Sequence, residues 1–191
     1  MARRTASQKR RAPAARIPVR RATLPDAQAL EIVHYPAAVL KRPAEDVVEI
    51  DAWLTAVAQR MTDLMTRHEG VGLAAPQVGL PLRMFIMAAD GKPENLRVLI
   101  NPQITDLQGQ VEAEEGCLSL PDIRTAVLRA QCVTVRGYDL SGNEVRETLV
   151  DWPARIAQHE NDHLEGILII DRISPSVRLS LRQQLKVLED A

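Results

Sequence analysis

Leu54, Val57, Met61 and Leu64 recur at three- to four-residue spacing, which predicts an amphipathic helix with one core-facing stripe. Asp51 stands just ahead of it, with the short acidic side chain that caps the free N–H groups of a first turn. Leu30-Glu31-Ile32-Val33 reads as a short strand stopped by Pro36. Strands are predicted at 83–89, 97–101, 131–138 and 144–150, with Asp90-Gly91 and Ser141-Gly142-Asn143 as turns between neighbours. The segment 152–170 suits a second helix, with Trp152, Ile156, His159 and His163 on one inward stripe. Ser174-Pro175 then supplies an N-cap and a first-turn proline for a last helix, with Val177, Leu181, Leu185 and Leu188 on one face. Strands in the middle with helices at both ends make an α+β fold, and no internal repeat is visible.

Composition narrows the class without changing that outline. A chain of 191 residues, 46% apolar and 26% charged, is long enough to bury a proper core. Aromatic residues are only 3%, so aliphatic side chains and Met must fill that core, and base-stacking surfaces for single-stranded nucleic acid are not expected. No apolar run reaches membrane-spanning length. With only Cys117 and Cys132 and no export signal, a structural disulfide is not expected, and Cys132 falls in an alternating run that reads as strand packing. Charge is segregated. Residues 1–25 carry seven Arg and one Lys with no acid, +8, against −9 over the remainder. The expected organisation is a disordered basic tail over 1–28 and one domain over 29–191. The tail has no apolar h-region; contact with RNA and an Arg-rich transit function are its alternatives to a plain extension.

Residues 159–163 read His-Glu-Asn-Asp-His. Two imidazoles four apart lie on one helix face, one turn above the other, where both can grip one metal ion. Glu160 stands beside them, where a carboxylate could take a proton from a water on that ion. The same pattern also arises from ordinary buried histidines. Two facts favour the metal: only four histidines occur in the chain, and a third ligand is available upstream. That ligand is Cys117, in Glu114-Glu115-Gly116-Cys117-Leu118-Ser119. One thiolate and two imidazoles leave an open coordination position, the pattern of a catalytic site. Gly116 lets the backbone turn beside the metal, and the Leu118 amide could point into the site. In Gly70-Val71-Gly72-Leu73-Ala74-Ala75-Pro76-Gln77, which reads as the end of the first helix and a loop, Gln77 offers an amide donor for a carbonyl oxygen.

Together, the motifs at 70–77, 115–119 and 158–163 resemble the three signature motifs of the peptide deformylases, in the family's order. His34-Tyr35-Pro36, Ile100-Asn101-Pro102 and Gly166 are similar to further family positions, so the resemblance spans about residues 30–175. It implies mostly antiparallel sheets around a central metal-binding helix, with an N-terminal and a C-terminal helix. It also implies hydrolytic removal of formyl from the N-terminal formylmethionine of new polypeptides. By that resemblance Cys117, His159 and His163 hold one divalent ion, Fe²⁺ first, with Zn²⁺, Ni²⁺ or Co²⁺ accepted by the same donors. Glu160 is the base, while Gln77 and the Leu118 amide cradle the formyl oxygen. Gly72 and Gly116 offer backbone hydrogen bonds to an extended peptide, and Val71 and Ile156 wall the methionine pocket. Arg124 either faces substrate or is a solvated strand charge. Asp162 orients a partner such as Arg129.

The chain departs from the family where many relatives carry Gly-Leu-Leu-Ala and this one has Asp151-Trp152-Pro153-Ala154. It departs again at Arg129, where proline is common. These leave substrate preference open rather than the reaction. A zinc endopeptidase is the first rival, but Ile169 stands where a third histidine would be needed, and only Glu165 and Glu189 follow as acids of the right type. A catalytically idle deformylase-like binding protein is the second. An RNA-binding protein led by the tail is the third, without any recognised module. N-formylmethionyl peptides are the expected partners. The ribosome is a further candidate, since Arg178, Arg182 and Lys186 repeat every four residues, although a solvated helix face is the favoured reading of such a row. A monomer in the bacterial cytoplasm is the expected setting, with an organelle as the second choice.

Overall fold

The computed structural model describes residues 24–190, so the basic segment 1–23 lies outside it. Leu24 to Gln28, assigned above to the tail, are placed: Asp26 caps a 3-10 turn at Ala27–Ala29, and the Trp53 indole N–H donates to Pro25 O at 2.9 Å. Helix α1, Ala52–Arg67, begins where the capping residue predicts, with Leu54 N–H donating to Asp51 Oδ1 at 2.9 Å. Its stripe of Leu54, Val57, Met61 and Leu64 is buried.

Seven strands follow: β1 Gly72–Ala74, β2 Met84–Met87, β3 Arg97–Gln108, β4 Val111–Cys117, β5 Leu120–Arg129, β6 Cys132–Tyr138 and β7 Glu144–Val150. One antiparallel sheet runs β1-β2-β3-β6-β7, and β4 and β5 pair as a separate hairpin. Helix α2, Trp152–Leu164, lies on one face of the larger sheet and α1 on the other. Strand β2 shows both contacts. Met84 and Ile86 join the α1 cluster, Phe85 and Met87 the α2 cluster, so all four are buried as a continuous apolar run. Met61, Met65, Met84 and Met87 fill much of a core with little aromatic volume. A third cluster joins Leu120, Ile123 and Val127 of β5 to Tyr35, ahead of α1, and to Ile170 and Leu185 near the C-terminus. The fold is α+β, with mostly antiparallel strands around the helix that carries His159 and His163.

Several local expectations need correction. Residues 30–33 form no strand; they run as an extended strap, held by Arg60 Nε–H on Leu30 O at 2.9 Å and by Val33 N–H on Gln77 O at 2.8 Å. Residues 72–74 are a strand rather than loop, followed by a 3-10 turn at Ala75–Val78. Helix α2 stops at Leu164, not near Ile170. Gly166 has φ 71°, and a Cβ there would stand 2.7 Å from Arg42 N, so both the backbone angle and the close approach require glycine. The last helix is two pieces, α3 Pro175–Ser180 and α4 Arg182–Glu189, broken at Leu181. Ser174 caps α3 as expected, but Val177 is exposed, and Leu185 is the buried member of the expected apolar face. Within the proposed basic row, Arg178 is tied to Asp171 and Ile170 O. Both cysteines are free. Among the described residues no helix is long and apolar enough to cross a membrane.

Candidate active site

Cys117, His159 and His163 come from two elements distant in sequence. Cys117 ends β4, where the ladder passes from Gly116 opposite Arg124 to Cys117 opposite Leu120. This bulge, with Asp122 at φ 61°, re-aims the end of the strand towards α2. Their ligand atoms lie within 4.8 Å of one another, and Cys117 Sγ is 3.3 Å from His163 Nε2. Metal–sulfur and metal–nitrogen bonds at a tetrahedral angle would set sulfur and nitrogen about 3.5 Å apart, so the three donors fit one transition-metal ion.

His159 is held from behind. Glu115 Oε2 accepts from His159 Nδ1–H at 2.9 Å, turning the other ring nitrogen towards the site. Glu115 is itself buried and takes Arg129 through Nε and Nη2, both at 2.9 Å, and Arg155 Nη1 at 2.7 Å. Burial alone would push its carboxyl up. The Arg129 and His159 hydrogen bonds and charges outweigh burial and hold it far below the usual carboxylate range. Arg129 Nη1 also donates to Asp162 Oδ2 at 2.5 Å, and Asp162 in turn takes the Arg172 guanidinium. Asp162 thus meets the partner suggested for it. Sequence reasoning gives Glu115 and Arg155 no role, although Glu115 lies inside the 115–119 motif.

Glu160 is 3% exposed, and its Oε2 has no hydrogen-bond partner. Burial pushes its pKa up to about 7, against the opposing pull of His159. A carboxyl in that state can exchange a proton near neutrality. Gly72 makes room for it, since a Cβ there would lie 2.3 Å from Glu160 Oε1. Burial alone would likewise lower His159, yet its hydrogen bonds with Cys117 and Glu115 and the Glu160 charge hold it well above the ordinary imidazole value. Burial drives His163 well below that value. His163 Nδ1 is buried without a hydrogen-bond partner.

Gln77 is buried in the 3-10 turn after β1. Its Oε1 accepts from Ala74 N–H at 2.8 Å, which leaves its NH₂ facing Cys117 Sγ at 3.5 Å and Ser119 Oγ at 3.3 Å. Residues 33–35 tie these parts together. Val33 N–H donates to Gln77 O and Tyr35 N–H to Ser119 O, at 2.8 and 2.9 Å. Leu118 heads the two-residue turn between β4 and β5.

A cavity of about 890 Å³ brings together Val71, Gly72, Gln77, Gly116, Cys117, Leu118, Arg124, Ile156, His159 and Glu160. His163 lies deeper, 1% exposed. Arg124 sits at the mouth, exposed and paired with Glu114 at 3.0 Å, so its two readings are not exclusive. Gly116 is in ordinary contact range of Arg124 and shows no steric need for glycine. Trp152 is not on an inward stripe: it is 47% exposed, and its indole N–H donates to Ala89 O at 3.1 Å. The acids an endopeptidase would require lie elsewhere. Glu165 pairs with Arg83, and Glu189 accepts from Tyr35 OH.

The profile of the polypeptide deformylase family matches residues 29–179. The chain belongs to the peptide deformylase family. A peptide deformylase of Thermodesulfovibrio yellowstonii is 45% identical over 159 residues, covering 82% of this chain and 96% of that one. Among solved structures, peptide deformylase 1B of Arabidopsis thaliana is 38% identical with a TM-score of 0.81, over 84% of this chain and 91% of that one. The Thermotoga maritima deformylase is 40% identical with a TM-score of 0.73, over 76% and 98%. Family membership sets aside the endopeptidase reading; the RNA reading rests on the basic segment 1–23, which lies outside the described residues.

Proposed function

We propose that this chain hydrolyses the formyl amide of N-terminal formylmethionine on newly made polypeptides, releasing formate, with Cys117, His159 and His163 holding one divalent metal ion. Fe²⁺ is the first choice, and Zn²⁺, Ni²⁺ or Co²⁺ suit the same donors. The observation that carries the reading is the convergence of those three ligand atoms within 4.8 Å beside a buried carboxylate with an unpartnered oxygen. Bound there, the ion supplies a Lewis acid that activates water and polarises the formyl oxygen.

Glu160 receives the proton of the attacking water and returns it to the leaving amine. Gln77 Nε2 and the Leu118 amide donate to the formyl oxygen as charge develops on it. The Ala74 bond to Gln77 Oε1 fixes which end of that amide faces the site. Gly72 and Gly116 offer backbone partners to the extended peptide. Val71 and Ile156 wall the methionine side chain, and Arg124 meets the chain at the mouth.

Formate release from formyl-Met-Ala, with elemental analysis of protein purified without oxygen, tests this directly. Wild type should release formate and carry about one ion per chain, whereas Cys117→Ala should lose both. Full metal content without any formate would leave an idle binding protein. A second expectation concerns Gly72→Ala. Its methyl must displace the Glu160 carboxylate, and misplacement of about 1 Å lowers rates about 10²-fold. Metal content should stay near wild type, and activity within twofold would contradict the assigned closeness of Gly72 to the base.

A further inference from the structure

A second cavity, of about 440 Å³, lies against another side of α2 and shares no lining residue with the cavity at the metal ligands. Helical spacing accounts for the separation: Gln158, Asn161 and Asp162 project from one face of α2, and Ile156, His159 and Glu160 from another. The walls divide by chemistry. Ile104 and Leu107 of β3 and Leu128 of β5 form the apolar part. Leu107 and Leu128 are 61% and 53% exposed and belong to none of the three core clusters, so no packing role in the chain accounts for them. Arg129, Asn161, Asp162 and Arg172 form the polar part.

Arg172 is the accessible cation there, its side chain 43% exposed. Its Nε and Nη2 bond Asp162, which leaves Nη1 and one hydrogen of Nη2 without an acceptor among the described residues. That free end of the guanidinium is the fork that grips a carboxylate through two parallel hydrogen bonds. Asp162 is the one acid lining the cavity, and both its oxygens are already covered by Arg129 and Arg172. Over the whole linked network, Arg129, Arg155 and Arg172 face Glu115 and Asp162, which leaves a positive excess. Asn161 makes no side-chain hydrogen bond among the described residues, and its Oδ1 is buried without a partner. An amide so unrestrained can turn its NH₂ towards an incoming anion.

The geometry points to a second ligand site in this cavity, for a monocarboxylate with an unbranched apolar chain, of the medium-chain fatty acid class. The head lies across the free edge of Arg172 beside Asn161, and the chain covers Ile104, Leu107 and Leu128. The volume falls in the range of small-ligand sites, about 300–1,000 Å³. Such an occupant stands at the outer end of the row of contacts that runs from Arg172 through Asp162, Arg129 and Glu115 to His159.

Calorimetric titration of octanoate into the zinc-loaded full chain tests this, and one molecule should bind per chain. Acetate lacks the tail and octanol the charge, and each should bind at least about tenfold more weakly. Arg172→Gln should lower octanoate affinity by about tenfold or more. Leu107→Glu should weaken it comparably by setting a carboxylate against the chain, at an exposed position where folding is little affected. Methyl NMR locates the ligand: the Leu107 and Leu128 signals should shift, while those of Val71 and Ile156 hold still. Shifts confined to Val71 and Ile156 would put octanoate in the metal cavity and overturn the inference. Absence of saturable binding, acetate binding as well as octanoate, or undiminished affinity in Leu107→Glu would overturn it too. None of these outcomes depends on formate release, so the deformylase reading stands or falls separately.

Discussion

Glu160→Ala should lower formate release from formyl-Met-Ala by about 10²–10⁴-fold, the range a positioned general base contributes. Metal content should remain that of wild type, because Glu160 is not one of the three converging ligands. The two readings together separate a lost proton acceptor from a lost ion. Residual activity within tenfold of wild type would remove Glu160 from its assigned role.

The same variant carries an opposite expectation for stability. Glu160 is buried with one carboxylate oxygen lacking a partner, and its pKa is raised to about 7 because burial penalises its charge. Neighbouring Glu115 adds to that penalty. Alanine removes the unfavourable group along with the useful one, so the melting temperature should hold or rise. A catalytic group held at a cost in stability is a common feature of active sites. A clear fall in melting temperature would instead mean that Glu160 is a packing element.

Much of the site was legible because its chemistry sits in contiguous sequence. His159 and His163 are placed by helical spacing alone, and Asp51 and Ser174 mark their helix starts with side chains that bond the next turn. The β4–β5 hairpin was not anticipated, although it carries Cys117. Strand β4 is Val111-Glu112-Ala113-Glu114-Glu115-Gly116-Cys117, mostly exposed; its alternation lasts only four residues, and its buried position is the charged Glu115. Strand β5 does alternate, but its buried positions include Thr125 and Arg129, which read as surface residues. The last helix was misread because its apolar spacing runs through Leu181, where the backbone breaks between two short helices. Trp152 was assigned inward by periodicity, but it stands in the first helical residue, where no preceding turn covers it. Glu115 was missed for a different reason. Its partners Arg129, Arg155 and His159 lie 14, 40 and 44 residues away, and a lone acid in a polar strand gives no sign of them.

Those partners make Glu115→Gln a damaging change to the scaffold. The substitution keeps the shape and removes the charge that Arg129 and Arg155 face, with all three side chains at most 5% exposed. Breaking a buried ion pair from one side costs about 3–5 kcal/mol, because the remaining charge is left without compensation. Arg129 retains Asp162, and Arg155 retains the Val111 and Val127 carbonyls, which places the loss towards the lower end. The wild-type advantage has a defined pH course. The folded carboxyl titrates far below the unfolded one, so its contribution is complete above the ordinary carboxylate range and shrinks as the pH falls below it towards the folded value. Denaturant melts of the two proteins should therefore converge in acid and stand apart at neutral pH. Metal binding should weaken as well, by about 10–100-fold, because His159 loses the carboxylate that accepts its Nδ1–H. Equal metal affinity would show that α2 alone orients the ring. Equal stability at neutral pH would show that the Arg129 and Arg155 contacts contribute nothing net to the fold.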